Sequence, residues 1–292
     1  MLDVVYYPIS AVLWAWHRVF GAVLGADNGF AWALSVVFLV FTVRAFLFWP
    51  GLVSARTGRR MQKMRPQLDA LRTEHGKDTQ KLAAEMQKLQ REHGVRPLLG
   101  CLPALVQIPV FFGLYHVLRS FNRTGTGVGQ LGLTPDQNAS TANYVFSAHD
   151  VQSFLSARLF GAPISVSMSS SDTVLASFGQ FGGVPSLATI AAVAIPLMLI
   201  ACLATHLNAR FSLRHQVTDT PNAMQAGMMR NLMLWVMPVG SIIAGPILPI
   251  AILLYWVANN IWTYGQQHVV HAVLEREATV AAVRSTVRSD RA

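Results

Sequence analysis

Between Gly29 and Pro50 the chain carries one formal charge, Arg44, in a run that is otherwise uncharged and mostly apolar. A helix over this run is about 30 Å long, the thickness of a bilayer's hydrocarbon core. A lone guanidinium at that depth costs roughly 2.5–3.5 kcal/mol on insertion scales, so Arg44 constrains fold and function together. Either it snorkels to the head groups, about two turns short of Pro50, or a polar interior is built around it. Of the 292 residues, 52% are hydrophobic and 13% charged. That is too apolar for an ordinary soluble domain. The apolar residues fall in blocks of membrane-spanning length, so the expected fold is an all-α polytopic membrane protein.

Five spans are expected, at 29–52, 99–118, 187–207, 228–245 and 247–266. The last two share one apolar stretch from Asn231 to Trp262, which as a single helix would reach about 48 Å, too long for one crossing. Gly245-Pro246 and Pro249 supply the break. In residues 1–25, Leu2, Val5, Tyr6, Ile9, Val12, Leu13, Trp16, Val19, Phe20 and Val23 recur at helical spacing. Asp3, Ser10, His17 and Arg18 fall mostly elsewhere around that helix. The pattern predicts an amphipathic helix lying in the interface, with Trp14 and Trp16 as belt residues. Its opening residues show neither a basic n-region nor an Arg/Ser-rich transit pattern, so a bacterial inner membrane is expected rather than an organelle.

Charge sets the expected orientation. The segment 53–98 holds eleven Lys/Arg, 208–230 holds three and the residues after 266 hold four, together 18 of 23. The segment 119–186 holds only Arg119, Arg123 and Arg158. By the positive-inside rule the hairpin 53–98, the loop 208–227 and the basic tail 267–292 are cytoplasmic, 119–186 lies outside, and the N-terminus is outside. In 53–98, Met61, Met64, Leu68 and Leu71, then Leu82, Met86 and Leu89, form heptad-like seams. Glu74-His75-Gly76 and Glu92-His93-Gly94 end them. This predicts a cytoplasmic antiparallel helical hairpin of charge +6. It is either a solvated connector that only sets topology or a surface for anionic lipid heads and ribosomal RNA. Its candidate contact residues are Arg59, Arg60, Lys63, Arg65, Lys81 and Lys88. The net charge of +9 sits mostly in such loops, so DNA is not an expected partner. Segment 119–186 is rich in Gly, Ser, Thr, Asn and Gln; it reads as partly irregular, with a short helix near Val151–Phe160 and no evident chemistry.

Gln107 is an amide flanked by apolar residues, and Tyr255/Asn259 and Trp256/Asn260 are i,i+4 pairs in the last span. Polar groups at membrane depth are stable only against protein or water. Two readings follow: a shared watery groove with Arg44, or hydrogen bonds that join helices. No nucleotide motif or catalytic constellation is present, so neither enzyme activity nor a cofactor is expected. His268 and His271 have an i,i+3 spacing, but no further ligands complete a metal set. Cys101 and Cys202 lie in apolar blocks and suggest no disulfide framework. Met224, Met228, Met229, Met233 and Met237 form a stripe, read as core filler or as a flexible substrate face.

Several of these residues carry a resemblance. Met61, Met64 and Pro66 precede the hairpin; Gly100-Cys101-Leu102-Pro103 and Gln107-Ile108-Pro109 follow it, then Phe111, Gly113, Leu114 and Tyr115. Later come Met237-Pro238, Leu248-Pro249, Leu254-Tyr255-Trp256, Asn259-Asn260 and Gln266. With Arg44 in the first span, this order resembles the YidC-type membrane protein insertases, relatives of the mitochondrial Oxa and chloroplast Alb proteins. Arg96-Pro97, Asn259 and Pro249-Ile250-Ala251 depart mildly from the family's usual residues. The resemblance implies a five-span core and a hydrophilic groove, open to cytoplasm and lipid, formed by Arg44, Gln107, Tyr255, Trp256, Asn259 and Asn260. It implies nascent membrane proteins as clients and the ribosome as a partner, the protein working alone or with the Sec translocon; anionic lipids are expected from the charge of the hairpin. A small-solute transporter and a non-inserting assembly factor for membrane complexes are the rival readings.

Overall fold

The structure, a computed structural model, describes residues 3–76, 78–94, 97–125, 131–215 and 223–289. Arg96 and the side chains of Gly100-Cys101-Leu102-Pro103 and Met224, singled out above, lie outside the described set. The elements run α1 (Asp3–Leu24), α2 (Gly29–Phe46), α3 (Phe48–His75), α4 (Thr79–Glu92), α5 (Pro97–Arg119), α6 (Pro135–Ser140) and α7 (Ala148–Ser156). A two-residue ribbon, β1 (Arg158–Leu159) against β2 (Ala162–Pro163), precedes α8 (Asp172–Ala176). Then come α9 (Leu187–Arg214), α10 (Ala223–Asn231), α11 (Met237–Ala244) and α12 (Ile250–Ser289). Among the described residues the protein is thus all-α but for that ribbon and one isolated bridge. Among the described residues, three helical stretches are long and apolar enough to cross a membrane: Gly29–Phe46, Leu187–Arg214 and Gly227–Ile247.

Local chemistry explains the boundaries. Asn28 caps α2, its side chain accepting from the Phe30 amide at 2.8 Å. Gly25, at φ +97°, makes the turn out of α1. Gly29 lies so close to the Arg158 carbonyl that a methyl group there would clash. A π-helical turn, Leu232–Val236, joins α10 to α11. A 3-10 turn, Gly245–Ile247, ends the composite helix, and Leu248 is extended as a residue before proline tends to be. At 40 residues α12 is about 60 Å long, twice a hydrocarbon core. Residues 267–289 therefore continue α12 rather than forming a separate tail. Likewise α3 begins at Phe48, directly after Leu47, inside the expected first span.

The core gathers at the start of α2. Trp32, Phe121, Phe146, Phe154 and Phe178 are fully buried, with Phe121 stacked on Phe154 at 4.0 Å. The Trp32 indole donates to Ser153 Oγ at 3.1 Å, and Ser153 donates to the Ala26 carbonyl at 2.7 Å. The segment 131–186 is partly irregular, with α7 (Ala148–Ser156) near the expected short helix, and it folds into a cap. Its Ile164 and Val166 carbonyls accept from the Ala251 and Ile250 amides at 2.8 and 3.0 Å, satisfying donors that a helix N-terminus leaves orphaned.

Two of the polar residues in α1 face the core. Ile9, Ser10, Leu13 and His17 are buried, while Val4, Val19 and Val23 are exposed. The expected sorting of Ser10 and His17 away from the packed face is corrected here. The His17 ring stacks on Trp32 at 3.6 Å, and Ser10 satisfies its hydroxyl on the Tyr7 carbonyl at 2.9 Å. Burial pushes the His17 imidazole down to about 4, against the opposing pull of Asp150. At the other end, α3 and α4 meet through Met64 and Leu68, flanked by Met61, Met86 and Leu89.

Candidate functional site

Arg44 lies in the last turn of α2 and points at α12. Its Nε donates to Asn259 Oδ1 at 2.8 Å, Nη2 donates to the same oxygen, and Nη2 reaches Thr263 Oγ1 at 3.4 Å. Asn259 and Thr263 are one turn apart, so both face α2. One turn earlier on that face is Tyr255, whose hydroxyl accepts from the Gln107 amide nitrogen of α5 at 2.5 Å. The other amide atom, Gln107 Oε1, is buried with no partner among the described residues. Phe111 packs on the Tyr255 ring at 5.6 Å between centroids.

Arg44, Gln107, Tyr255 and Asn259 share one narrow cleft. Its remaining walls are Ile9 of α1, Leu39, Val40 and Val43 of α2, and Val110 and Leu114 of α5. In this conformation the void has room for about one water molecule. Arg44 makes no ion pair within 4 Å among the described residues; amide and hydroxyl oxygens alone hold the charge. The cleft thus offers a guanidinium, a free amide oxygen and apolar walls. It has no nucleophile or acid–base pair, and among the described residues no cluster of metal ligands occurs.

The structure separates the two i,i+4 pairs. Each helical residue turns about 100°, so Trp256 and Asn260 lie on the face next to Tyr255 and Asn259. Asn260 faces α9, accepting from Asn208 Nδ2 at 2.9 Å and Thr205 Oγ1 at 3.2 Å and donating to the Trp256 carbonyl at 2.9 Å. Trp256 does not line the Arg44 cleft. Asn260 thus joins α12 to α9, whereas Arg44, Gln107, Tyr255 and Asn259 line one cleft and hydrogen-bond α12 to α2 and α5. Thr263 was missed, although it continues the Tyr255–Asn259 spacing.

Among the hairpin cations, Arg59, Arg60 and Lys63 line one groove with Arg56, Leu274, Glu277 and Ala278. Arg56 pairs with Glu277 at 2.6 Å, which holds that carboxyl below its usual range. Arg65 is half-buried. Lys81 and Lys88 are exposed on α4, away from the groove, and Lys88 lies 3.9 Å from Glu85. Of the methionine stripe, Met228, Met229 and Met237 are exposed rather than core filler.

Residues 23–277 match the family described as 60Kd inner membrane protein. The chain is 53% identical over 276 residues to a protein named membrane protein insertase YidC from Mycolicibacterium paratuberculosis, covering 94% of this chain and 77% of that one. It is 52% identical to the protein of that name from Mycobacterium tuberculosis, over 94% of this chain and 74% of the other. A third, from Corynebacterium efficiens, is 32% identical over 94% and 69% of the two chains.

Proposed function

Since the chain belongs to the YidC family of membrane protein insertases, we propose that it inserts nascent membrane proteins by offering their polar leading segments the cleft around Arg44. The observation that carries this mechanism is a half-buried guanidinium held by neutral partners. Its charge is solvated by Asn259 and Thr263 but is not neutralised by a carboxylate among the described residues, so it is free to attract one. Acidic groups on a client's leading tail are drawn to Arg44, while Gln107 Oε1 accepts from passing backbone amides. The cleft widens and fills with water as a client enters, which shortens the dry distance the tail must cross. The client's apolar helix then partitions into lipid, at roughly 25 cal/mol per Å² buried. The membrane potential adds about 2.3 kcal/mol per acidic charge per 100 mV. The work is physical; no covalent bond is made or broken.

In this reading the protein is a five-span protein of the bacterial inner membrane, α5 and α12 completing the set with the three apolar stretches. Its N-terminus lies outside, with α1 in the outer interface, and α3, α4 and the far half of α12 stand in the cytoplasm. The basic α3–α4 pair meets the ribosome and the anionic leaflet, and the protein acts alone or beside the Sec translocon. Support comes from the asymmetry of basic residues and from α12, whose length carries it beyond a bilayer.

The test is reconstitution of Arg44→Ala and Arg44→Lys in proteoliposomes with a labelled single-span client bearing an acidic leading tail. The alanine variant is expected to insert about tenfold less, equivalent to about 1.4 kcal/mol, and the lysine variant to keep most activity. Full insertion by Arg44→Ala would reject the electrostatic mechanism.

A further inference from the structure

A second cleft opens where α3, the end of α9 and α12 meet, on the basic side of the Arg44 cleft. It is lined by Arg59 and Lys63, by His215 and His271, and by the apolar side chains of Ala55, Phe211, Val270 and Leu274. One wall is cationic and another greasy. Arg59 Nη1 is buried with no hydrogen-bond partner among the described residues. Leaving such a donor unmatched is costly, more so for a charged group. The nearby carboxylates are already engaged: Glu277 with Arg56, and Glu275 with His271 at 3.0 Å. Glu277 feels the charge of Arg59 only as a minor influence. His215 spends Nδ1 on the Phe211 carbonyl, and its ring lies 4.0 Å from that of His271.

We propose that this cleft is a binding site for the phosphodiester head group of an anionic phospholipid, with Arg59 and Lys63 on the phosphate and the acyl chain along Phe211, Val270 and Leu274. A guanidinium fork matches phosphate oxygens in pairs, and an ammonium adds a point charge. The apolar wall selects a lipid over free phosphate, because inorganic phosphate leaves that surface exposed to water. The placement fits a head group's depth, since α3 enters the cleft two to three turns after the apolar Phe48-Trp49 pair. A lipid there would hold three helices at one end of the molecule, where Arg56–Glu277 already ties α3 to α12. The site rests on the membrane reading above but not on the Arg44 mechanism.

The full chain, purified in detergent, is offered phosphatidylglycerol or phosphatidylcholine, and bound lipid is counted by native mass spectrometry. Wild type is expected to retain phosphatidylglycerol at least fivefold over phosphatidylcholine, with millimolar inorganic phosphate displacing little of it. Arg59→Gln and Lys63→Gln should each lose most of that preference. Arg284→Gln removes an equal charge from an exposed position far along α12 and should keep it. Absence of a preference in wild type, equal loss in Arg284→Gln, or full displacement by inorganic phosphate would each overturn the proposal. The wild-type arm needs no variant to fold, and lipid retention in detergent is scored separately from client insertion.

Discussion

Around Trp32, side chains from α2, α5, α7 and the 131–186 cap are buried to completion, whereas along α3 and α4 only Leu52, Met64 and Leu68 are buried among the described residues. One end of the molecule is a packed plug of aromatic rings; the other is a pair of helices held by a small methionine and leucine seam. Stability is rarely uniform in a protein, and sparsely packed elements open first. The contrast teaches that one end resists opening through dense aromatic packing, while the other is held by few buried side chains. The cleft of Arg44 lies between them.

The contrast breaks most visibly if the plug is not the rigid part. Trp32→Ala removes a fully buried ring and leaves His17 and Ser153 without their partner. It should cost about 3–5 kcal/mol, read as a large fall in the thermal midpoint in detergent; a drop of only a degree or two would mean the plug is loosely packed.

Acid should weaken the same end. The His17 imidazole titrates at about 4 when folded, against an ordinary value of 6.5. Its contribution is therefore complete above pH 6.5, declines as pH falls towards 4, and is spent below that. The loss is on the order of 3 kcal/mol. Thermal midpoints across that window should slope in wild type and flatten in His17→Gln; equal slopes would remove His17 from the account.

At the thin end the effect should be smaller and local. Leu68→Ala is expected to cost about 1–2 kcal/mol in a seam this small. Amide exchange should speed up along α4 while the global midpoint hardly moves. Coupled loss at both ends would erase the distinction between them.

Much of the site was legible because polar residues in apolar blocks stand out: Arg44, Gln107, Tyr255 and Asn259 all belong to the cleft. Asn260 and Trp256 fall on the neighbouring face because one residue of helix is a 100° turn, and the sequence does not say which face meets α2 and which meets α9. The cap was hidden for a different reason. Its Gly, Ser and Asn content reads as irregular, while the partners that bury Phe146, Phe154 and Phe178 come from distant segments. His17 reads as a polar-face residue because nothing local signals that its stacking partner is Trp32. The break before α12 was readable, since Gly245, Pro246 and Pro249 act through their own backbone chemistry.

The central claim is that water and clients reach Arg44 from the basic end and not through the plug. With Cys101 and Cys202 replaced by serine, Gln107→Cys should react with a membrane-impermeant maleimide applied to the basic side, and not with the same reagent on the plug side. Ala258→Cys, from a buried position one residue from Asn259, should react from neither. Silence of Gln107→Cys from the basic side, or equal labelling from both, would contradict the account.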